Sequence, residues 1–182
     1  MTERLQEKYN KEIVPELLKE LGIKNIMQAP RVLKISVNSG IGGFRDSKEQ
    51  VDTFKEELTA LLGQVPVTNP SKKAISVFKI RKGDIVGVSA TLRGAKMWAF
   101  LDKLVNIILP RVRDFRGLSL TAFDSNGNYS IGLEDHTLFP EVSPNRVRAS
   151  RGLQINIVTN SNNKEYSELL LRKLGFSFAK KN

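Results

Sequence analysis

The stretch IVGVSATLR (residues 85–93) decides the fold, because apolar and polar side chains alternate along it. Successive side chains of a β-strand point to opposite faces. One face of this strand carries Val, Val, Ala and Leu, and the other carries Gly, Ser, Thr and Arg. The same alternation runs through residues 31–38 and 153–159. Strands of this kind are typical of an antiparallel sheet with one face open to solvent.

Amphipathic helices are predicted around these strands from the helical spacing of apolar residues. The first predicted helix is residues 2–21, closed by Gly22, and the second runs from the capping box Asp46-Ser47-Lys48-Glu49 to Gly63. The third has an apolar stripe from Met97 to Ile108 and is ended by Pro110. The fourth is residues 163–174, closed by Gly175. The pattern predicts an α+β fold: a mainly antiparallel sheet with helices packed on one side and the other face open. Because no linker or repeat is present, we expect one domain, residues 1–182.

A β-hairpin is predicted in the most basic part of the chain. Residues 74–80 and 85–93 are both rich in β-forming side chains, and Arg81-Lys82-Gly83-Asp84 between them has the composition of a turn. This hairpin would hold a basic tip, residues 79–84, away from the core.

Composition excludes several classes of protein. Cysteine is absent, so disulfides and thiolate chemistry are excluded, and no apolar run approaches the roughly 18 residues that a membrane helix needs. The first residues contain no apolar signal segment, and we expect a cytosolic protein. The only histidine, His136, is expected in an exposed polar turn after a strand. We expect no metal, no cofactor and no enzymatic activity, because a metal site would need further ligands.

The net charge of +10 is concentrated in the middle of the chain. Residues 1–62 contain 10 Lys and Arg against 10 Asp and Glu, residues 63–117 contain 11 against 3, and residues 118–182 contain 8 against 6. Clustered like charges repel each other and oppose compaction, so folding does not require them. The pattern indicates a polyanionic partner, and a phosphate backbone is the usual one.

The stretch SGIGGFR (residues 39–45) lies between a strand and a helix, where dinucleotide-binding fingerprints occur. The pattern is broken, because Arg45 stands where the third glycine is needed. Two interpretations stay open: the glycines bring backbone N–H groups close to a phosphate or base, or they only turn the chain.

The predicted open face and one loop give two further candidates. The outward residues of the strands include no aromatic side chain, so the face would bind a structured RNA helix through sugar and phosphate rather than stack single-stranded bases; a solvated face is the alternative. These residues are Lys34, Ser36, Asn38, Ser89, Thr91 and Asn156. The stretch PRVRDFRG (residues 110–117) is either a phosphate clamp of arginines or a basic surface loop.

Four stretches together resemble the bacterial L5 family of large-subunit ribosomal proteins. They are PRVLKISVNSGIG (30–42), KIRKGDIVGVSATLRGAKMWAFLDKLVNIILPRVRDFRGL (79–118), FDSNGNYSIGLEDHTLFPE (123–141) and RGLQINIVT (151–159). The resemblance implies an α+β, non-catalytic protein of the ribosome. It also implies binding to 5S rRNA and to large-subunit rRNA, contact with peptidyl-site tRNA, and contact with a small-subunit protein across an intersubunit bridge.

The resemblance also implies site residues. For 5S rRNA they are Lys34, Asn38, Gly40 and Gly42, followed by Gln64, Thr68, Ser71, Lys72 and Lys73; for tRNA they are Lys79, Arg81 and Lys82. We add Arg93, Arg111 and Arg113 as candidate rRNA-binding residues. Three departures from the family pattern are Ser39 in place of the usual Met, Val65 in place of a common Lys, and a more basic segment at residues 143–151 near the expected bridge.

Two other functions compete with rRNA binding. A protein that binds duplex DNA would present polar and basic residues on a recognition helix, but the helix in the basic third offers only Lys96, Lys103 and Asn106. A nucleotide-dependent enzyme is disfavoured by the broken glycine pattern and the lack of acid–base groups.

Overall fold

The structure is a computed structural model, and it describes residues 4–43, 47–142 and 150–179. Three features of the sequence therefore lie wholly or partly outside the described residues. They are Arg45 of the glycine-rich stretch, Asp46 of the capping box and the basic segment Asn145–Arg148. The next residue of the capping box, Ser47, precedes the helix without a side-chain capping hydrogen bond.

Four helices occur in the described residues. α1 consists of the segments Arg4–Lys8, Tyr9–Ile13 and Val14–Leu21, α2 spans Lys48–Leu62, α3 consists of the segments Gly94–Lys103, Leu104–Ile108 and Leu109–Arg111, and α4 spans Lys164–Lys173. The predicted glycine C-caps are confirmed for α1 and α2, because Gly22 and Gly63 have left-handed backbones with φ of 64° and 63°.

Five strands of the described residues form one open antiparallel sheet, in the order β2-β3-β1-β5-β4. The strands are β1 Val32–Gly40, β2 Val67–Pro70, β3 Ile85–Leu92, β4 Tyr129–Leu133 and β5 Leu153–Thr159. The sheet and the helices confirm the predicted α+β class.

The described residues fall into two compact units. Unit 1 contains the described residues of 1–35, 93–131 and 156–182, with α1, α3 and α4. Unit 2 contains those of 36–92 and 132–155, with α2, β2 and β3. A single domain over residues 1–182 stays a prediction.

The alternation read from the sequence is present in the strands. Every second residue is buried in β1 from Ile35 to Ser39 and in β3 from Val88 to Leu92, and the residues between them are half-buried. Gly87, just before Val88, is buried as well. β5 follows the same rule, with Leu153, Ile155 and Ile157 buried. The prediction for Leu33 is wrong: it was expected on the apolar face with Ile35, but 43% of the residue is exposed.

In unit 1, both helices that contain proline continue through it. Proline has no backbone N–H, so the usual bond to the carbonyl four residues earlier is missing. The turn before each proline is π-helical: Val14 donates its N–H to the Tyr9 carbonyl, and Leu109 donates to Leu104, five residues back in each case. The prediction that Pro110 ends α3 is therefore wrong, since the helix continues to Arg111.

The wider turn also sets the buried stripe of α1. Leu5, Tyr9, Ile13 and Leu17 are buried at steps of four residues, whereas the predicted core residue Val14 is only half-buried. The Tyr9 hydroxyl donates a 2.8 Å hydrogen bond to the Pro30 carbonyl, and burial raises the Tyr9 pKa to about 12.

The predicted hairpin in unit 2 has a different first strand. β3 pairs with β2, with Val67 opposite Ser89 and Asn69 opposite Gly87. Residues 74–80 are not a strand; they contain a 3₁₀ turn at Ser76–Phe78 and one isolated bridge between Ile75 and Ile80. The β-forming side chains of this segment find no partner strand, so tertiary context overrides their propensity.

The prediction for His136 is also wrong, because its side chain is completely buried. His136 Nε2 lies 3.2 Å from the Glu57 carboxylate, and Nδ1 accepts the Arg151 N–H at 3.1 Å. Since Nδ1 accepts a hydrogen bond, the proton of the neutral ring is on Nε2 and is donated to Glu57. His136 therefore fastens α2 to the chain around residue 151 within unit 2.

Candidate nucleic-acid interface

A long exposed loop joins β2 to β3, and we call residues 71–84 the basic loop. Its base is closed by two backbone hydrogen bonds, from Ser71 N–H to the Asp84 carbonyl (2.8 Å) and from Gly83 N–H to the Ser71 carbonyl (2.9 Å). Every residue from 72 to 79 is exposed. The loop is therefore a hydrogen-bonded projection with no buried side chain among those eight residues.

The charge of the basic loop is strongly positive. The side chains of all five cations are exposed: Lys72, Lys73, Lys79, Arg81 and Lys82. Asp84 is the only acidic residue between Leu58 and Leu101. Its carboxylate accepts the Arg81 backbone N–H at 2.8 Å and thus supports the turn. One carboxylate cannot neutralise five cations, so the loop carries a net positive field toward solvent.

The tip of this loop is not where the sequence predicts it. Residues 81–84 form a turn beside β3, where Asp84 N–H donates to the Arg81 carbonyl, and the outer turn is formed by residues 76–79. Lys79 closes the outer turn with a left-handed backbone, φ 52°. Val77 and Phe78 beside it are 83% and 65% exposed. This apolar pair, followed directly by Lys79, is a feature that sequence reasoning missed.

Two glycines at the end of β1 make no contact that requires glycine among the described residues. Gly40 and Gly42 are exposed and have no left-handed φ, and a β-carbon on either would meet no atom of the described chain within 4 Å. Their lack of a side chain therefore meets no conformational or packing need within the described chain. Of the two interpretations left open by the sequence, close approach of an external partner is the one that these facts favour.

A polar surface lies beside these glycines in unit 2. Asn38 on β1 and Gln64 before β2 are half-buried, and Gln64 Nε2 donates to the Thr91 carbonyl at 3.4 Å. Thr68 on β2 is also half-buried, but it lies opposite the buried Val88 and is therefore on the other face of the sheet. Ser71 Oγ donates to the Lys73 carbonyl at 2.7 Å, which orders the start of the basic loop. Ser89, which the sequence places on the open face, joins this surface through a side-chain hydrogen bond of 2.9 Å to Asn69, which the sequence did not single out.

The remaining candidates belong to unit 1. Arg93 is exposed at the N-cap of α3, Arg111 is the last residue of α3, and Arg113 is exposed just after it. Asp114, next to Arg113, has a left-handed backbone with φ 52°. Lys34 is half-buried in the first part of β1.

Neither a metal-binding cluster nor a membrane-spanning helix is found in the described residues. They contain no group of three or more His, Asp or Glu that could hold a metal ion. Within the same residues, no helix is both long and apolar enough to cross a membrane.

Two family models match the chain. The model for "Ribosomal protein L5" covers residues 25–81, and the model for "ribosomal L5P family C-terminus" covers residues 85–178. Curated relatives named large ribosomal subunit protein uL5 match over nearly the full length. The protein from Fervidobacterium nodosum is 48% identical over 97% of this chain and 96% of its own. The protein from Mycoplasma mycoides is 47% identical over 99% of this chain and all of its own.

These matches show that the chain is a structural, non-enzymatic protein of the large ribosomal subunit. The predicted location in the cytoplasmic ribosome is confirmed with it. Since a family model covers more than half of the chain and the identities approach one half, the chain belongs to the uL5 family.

Proposed function

We propose that this protein binds 5S rRNA through the surface formed by the end of β1, its glycine turn, the strand β2 and the start of the basic loop. The observation that carries the proposal is the exposed pair Gly40 and Gly42, where a β-carbon would meet no atom of the described residues within 4 Å. Lys72 and Lys73 follow on the same unit and supply positive charge for phosphates. Backbone glycines for close approach and lysines for charge are complementary parts of an RNA interface.

The form of RNA follows from the polar residues. The half-buried face of β1 and β3 presents hydroxyl and amide groups, Ser36, Asn38, Ser89 and Thr91, and no aromatic ring. Stacking of splayed bases needs aromatic platforms. A helical RNA segment, bound through sugars and phosphates, suits this surface.

The exposed arginines of unit 1 are proposed to bind large-subunit rRNA. Arg93, Arg111 and Arg113 are exposed around α3, and guanidinium groups match phosphate oxygens with two parallel hydrogen bonds. With one set of cations for each RNA, the protein would help to anchor 5S rRNA in the large subunit.

Two further partners are proposed on the family resemblance. Lys79, Arg81 and Lys82 in the second half of the basic loop would contact peptidyl-site tRNA, and their exposure supports a contact that forms and breaks readily. A small-subunit protein would meet the chain across an intersubunit bridge. The sequence associates the basic segment 143–151 with that bridge, and residues 143–149 of it lie outside the described residues.

A gel-shift comparison tests the proposal. The protein is titrated into 5S rRNA and into duplex DNA of equal length at one salt concentration. We expect binding to 5S rRNA at protein concentrations that leave the DNA free. Equal affinity for both would favour the alternative, a duplex DNA-binding protein. The structure gives that alternative little support, since Asn106 on the outer face of α3 already bonds Asp102 at 2.7 Å.

A further inference from the structure

Two asparagine side chains converge above a single glycine on the polar face of unit 2. A β-carbon at Gly87 would lie 3.9 Å from Asn38 Oδ1 and 4.0 Å from Asn69 Nδ2. It would also lie 3.2 Å from the Ser39 carbonyl oxygen, which is closer than most real β-carbon contacts. Glycine at this position therefore lets β1 and β2 bring their amide groups together over β3.

Asn69 is held in place by a hydroxyl. Its Nδ2 donates to Ser89 Oγ at 2.9 Å, and Ser89 Oγ lies 3.3 Å from Asn69 Oδ1. Nδ2 carries two hydrogens and Oδ1 carries two lone pairs, so the anchored amide keeps one donor and further acceptor capacity. This arrangement fixes the amide on a strand instead of leaving it mobile on a loop.

We infer that Asn69, anchored by Ser89, is a specificity-determining residue that hydrogen-bonds a ribose 2′-hydroxyl in the minor groove of the bound RNA helix. The inference rests on the proposed function and deepens it. A ribose hydroxyl both donates and accepts, as the free part of the amide does. The minor groove of A-form RNA is wide, shallow and lined by these hydroxyls, so a flat sheet face can reach them.

The surroundings of Asn69 suit a sugar better than a phosphate. Val67 lies opposite Ser89 in the β2–β3 pair and is 66% exposed, which places an apolar surface beside the amide. A ribose ring offers carbon as well as hydroxyl groups to such a surface. The lysines of the basic loop begin only at residue 72, beyond the end of β2. Along this segment, β2 thus recognises ribose hydroxyls, and the start of the basic loop after it binds phosphate charge.

Affinity measurements at several salt concentrations separate hydroxyl recognition by Asn69 from phosphate binding by the lysines. We expect Asn69→Ala to weaken 5S rRNA binding about 3- to 10-fold, the loss of one neutral hydrogen bond. The slope of log K against log salt stays as in the parent, because no phosphate contact is removed. Asn162→Ala, which removes an exposed asparagine in unit 1, is the matched control and leaves the affinity unchanged.

Ribose-interference mapping tests the contact itself. Pools of 5S rRNA with random 2′-deoxy substitutions are bound to parent, Asn69→Ala and Asn162→Ala, and the substitutions that weaken binding are mapped. We expect at least one position to interfere with the parent and with Asn162→Ala but not with Asn69→Ala. Ser89→Ala, which frees the amide without removing it, should weaken that interference.

The outcomes are distinguishable. Failure of the parent to bind 5S rRNA overturns the proposed function. Binding by the parent with the same interference map for Asn69→Ala overturns the ribose contact alone. Thermal melts check that the variants are folded, and Asn69→Val, which keeps a strand-forming residue without the amide, must give the same map as Asn69→Ala.

Discussion

Helix α1 and the basic loop are both rich in charged residues, but the two signs of charge balance only in α1. α1 contains four cations and four carboxylates, whereas the basic loop contains five cations and one carboxylate. In unit 1, Glu16 and Glu20 of α1 hold Lys173 at 2.8 and 2.6 Å, and Lys11 pairs with Glu7 at 3.6 Å. In the loop, the one carboxylate supports a backbone turn. Charge that is balanced and paired within the fold indicates a structural surface, and a local excess of positive charge indicates a surface for a polyanion.

The largest expected effect comes from the glycine turn at the end of β1. Gly40→Val should leave the fold intact, because the added β-carbon meets nothing within 4 Å and valine favours strands. It should weaken 5S rRNA binding about 10- to 100-fold, since overpacking a close contact costs about 1–3 kcal/mol. Gel shifts and thermal melts measure both quantities.

Gly132→Val is the matched control. Gly132 is also an exposed strand glycine of unit 2 with open space around its β-carbon position, but it lies on β4, outside the proposed interface. Equal binding by Gly40→Val and the parent would remove the glycine turn from the interface.

Removing charge from the start of the loop should have the next largest effect. Lys72→Ala combined with Lys73→Ala should weaken 5S rRNA binding about 3- to 30-fold at moderate salt, from up to about 1 kcal/mol per exposed contact. The slope of log K against log salt should flatten by about 1–2, because each phosphate contact contributes about 0.7–0.9. The comparison variant is Lys8→Ala with Lys19→Ala on α1, and an equal flattening by that pair would erase the distinction between the two regions.

The cations in the second half of the loop should affect a different RNA. Arg81→Ala with Lys82→Ala should leave 5S rRNA affinity within about twofold, yet speed dissociation of peptidyl-site tRNA from assembled ribosomes several-fold, because both changed side chains are exposed cations. Filter binding follows tRNA release. Weaker 5S binding with normal tRNA release would assign these residues to the other RNA.

The smallest effect is expected where charge is already paired. Hydrogen bonding to Lys173 lowers the pKa of Glu16, and hydrogen bonds to Glu16 and Glu20 raise the pKa of Lys173. Because the Glu16 pKa is lowered on folding, its contribution is present at neutral pH and is lost as the pH falls through that lowered value. Urea unfolding should therefore show Lys173→Ala slightly less stable than the parent at pH 7, with a smaller difference at pH 3. A difference that grows on acidification would contradict the assignment.

The features predicted correctly from the sequence are local. The two-residue alternation of β1, β3 and β5 is enough to show which face is buried, and Gly22 and Gly63 mark the helix ends, because both signals depend only on neighbouring residues. The open, polar character of the sheet followed from the same alternation.

The features that were missed depend on partners far along the chain. His136 can be buried because Glu57, 79 residues away, accepts a hydrogen bond from its Nε2. β2 is a four-residue strand containing a proline and has little strand signal of its own, and its pairing with β3 left residues 74–80 as a loop. Asn69 became a candidate only when its bond to Ser89 and its position over Gly87 were known.

Lysine acetylation with and without 5S rRNA tests the central claim most directly, since the reactivity of the lysines in α1 and in the basic loop is measured in one sample. Free protein and the 5S rRNA complex are treated briefly with an acetylating reagent, and modification of each lysine is quantified by mass spectrometry. The account predicts that bound RNA protects Lys72 and Lys73 and leaves the exposed α1 lysines, Lys8, Lys11 and Lys19, as reactive as before. Protection of the α1 lysines with undiminished reactivity at Lys72 and Lys73 would contradict it.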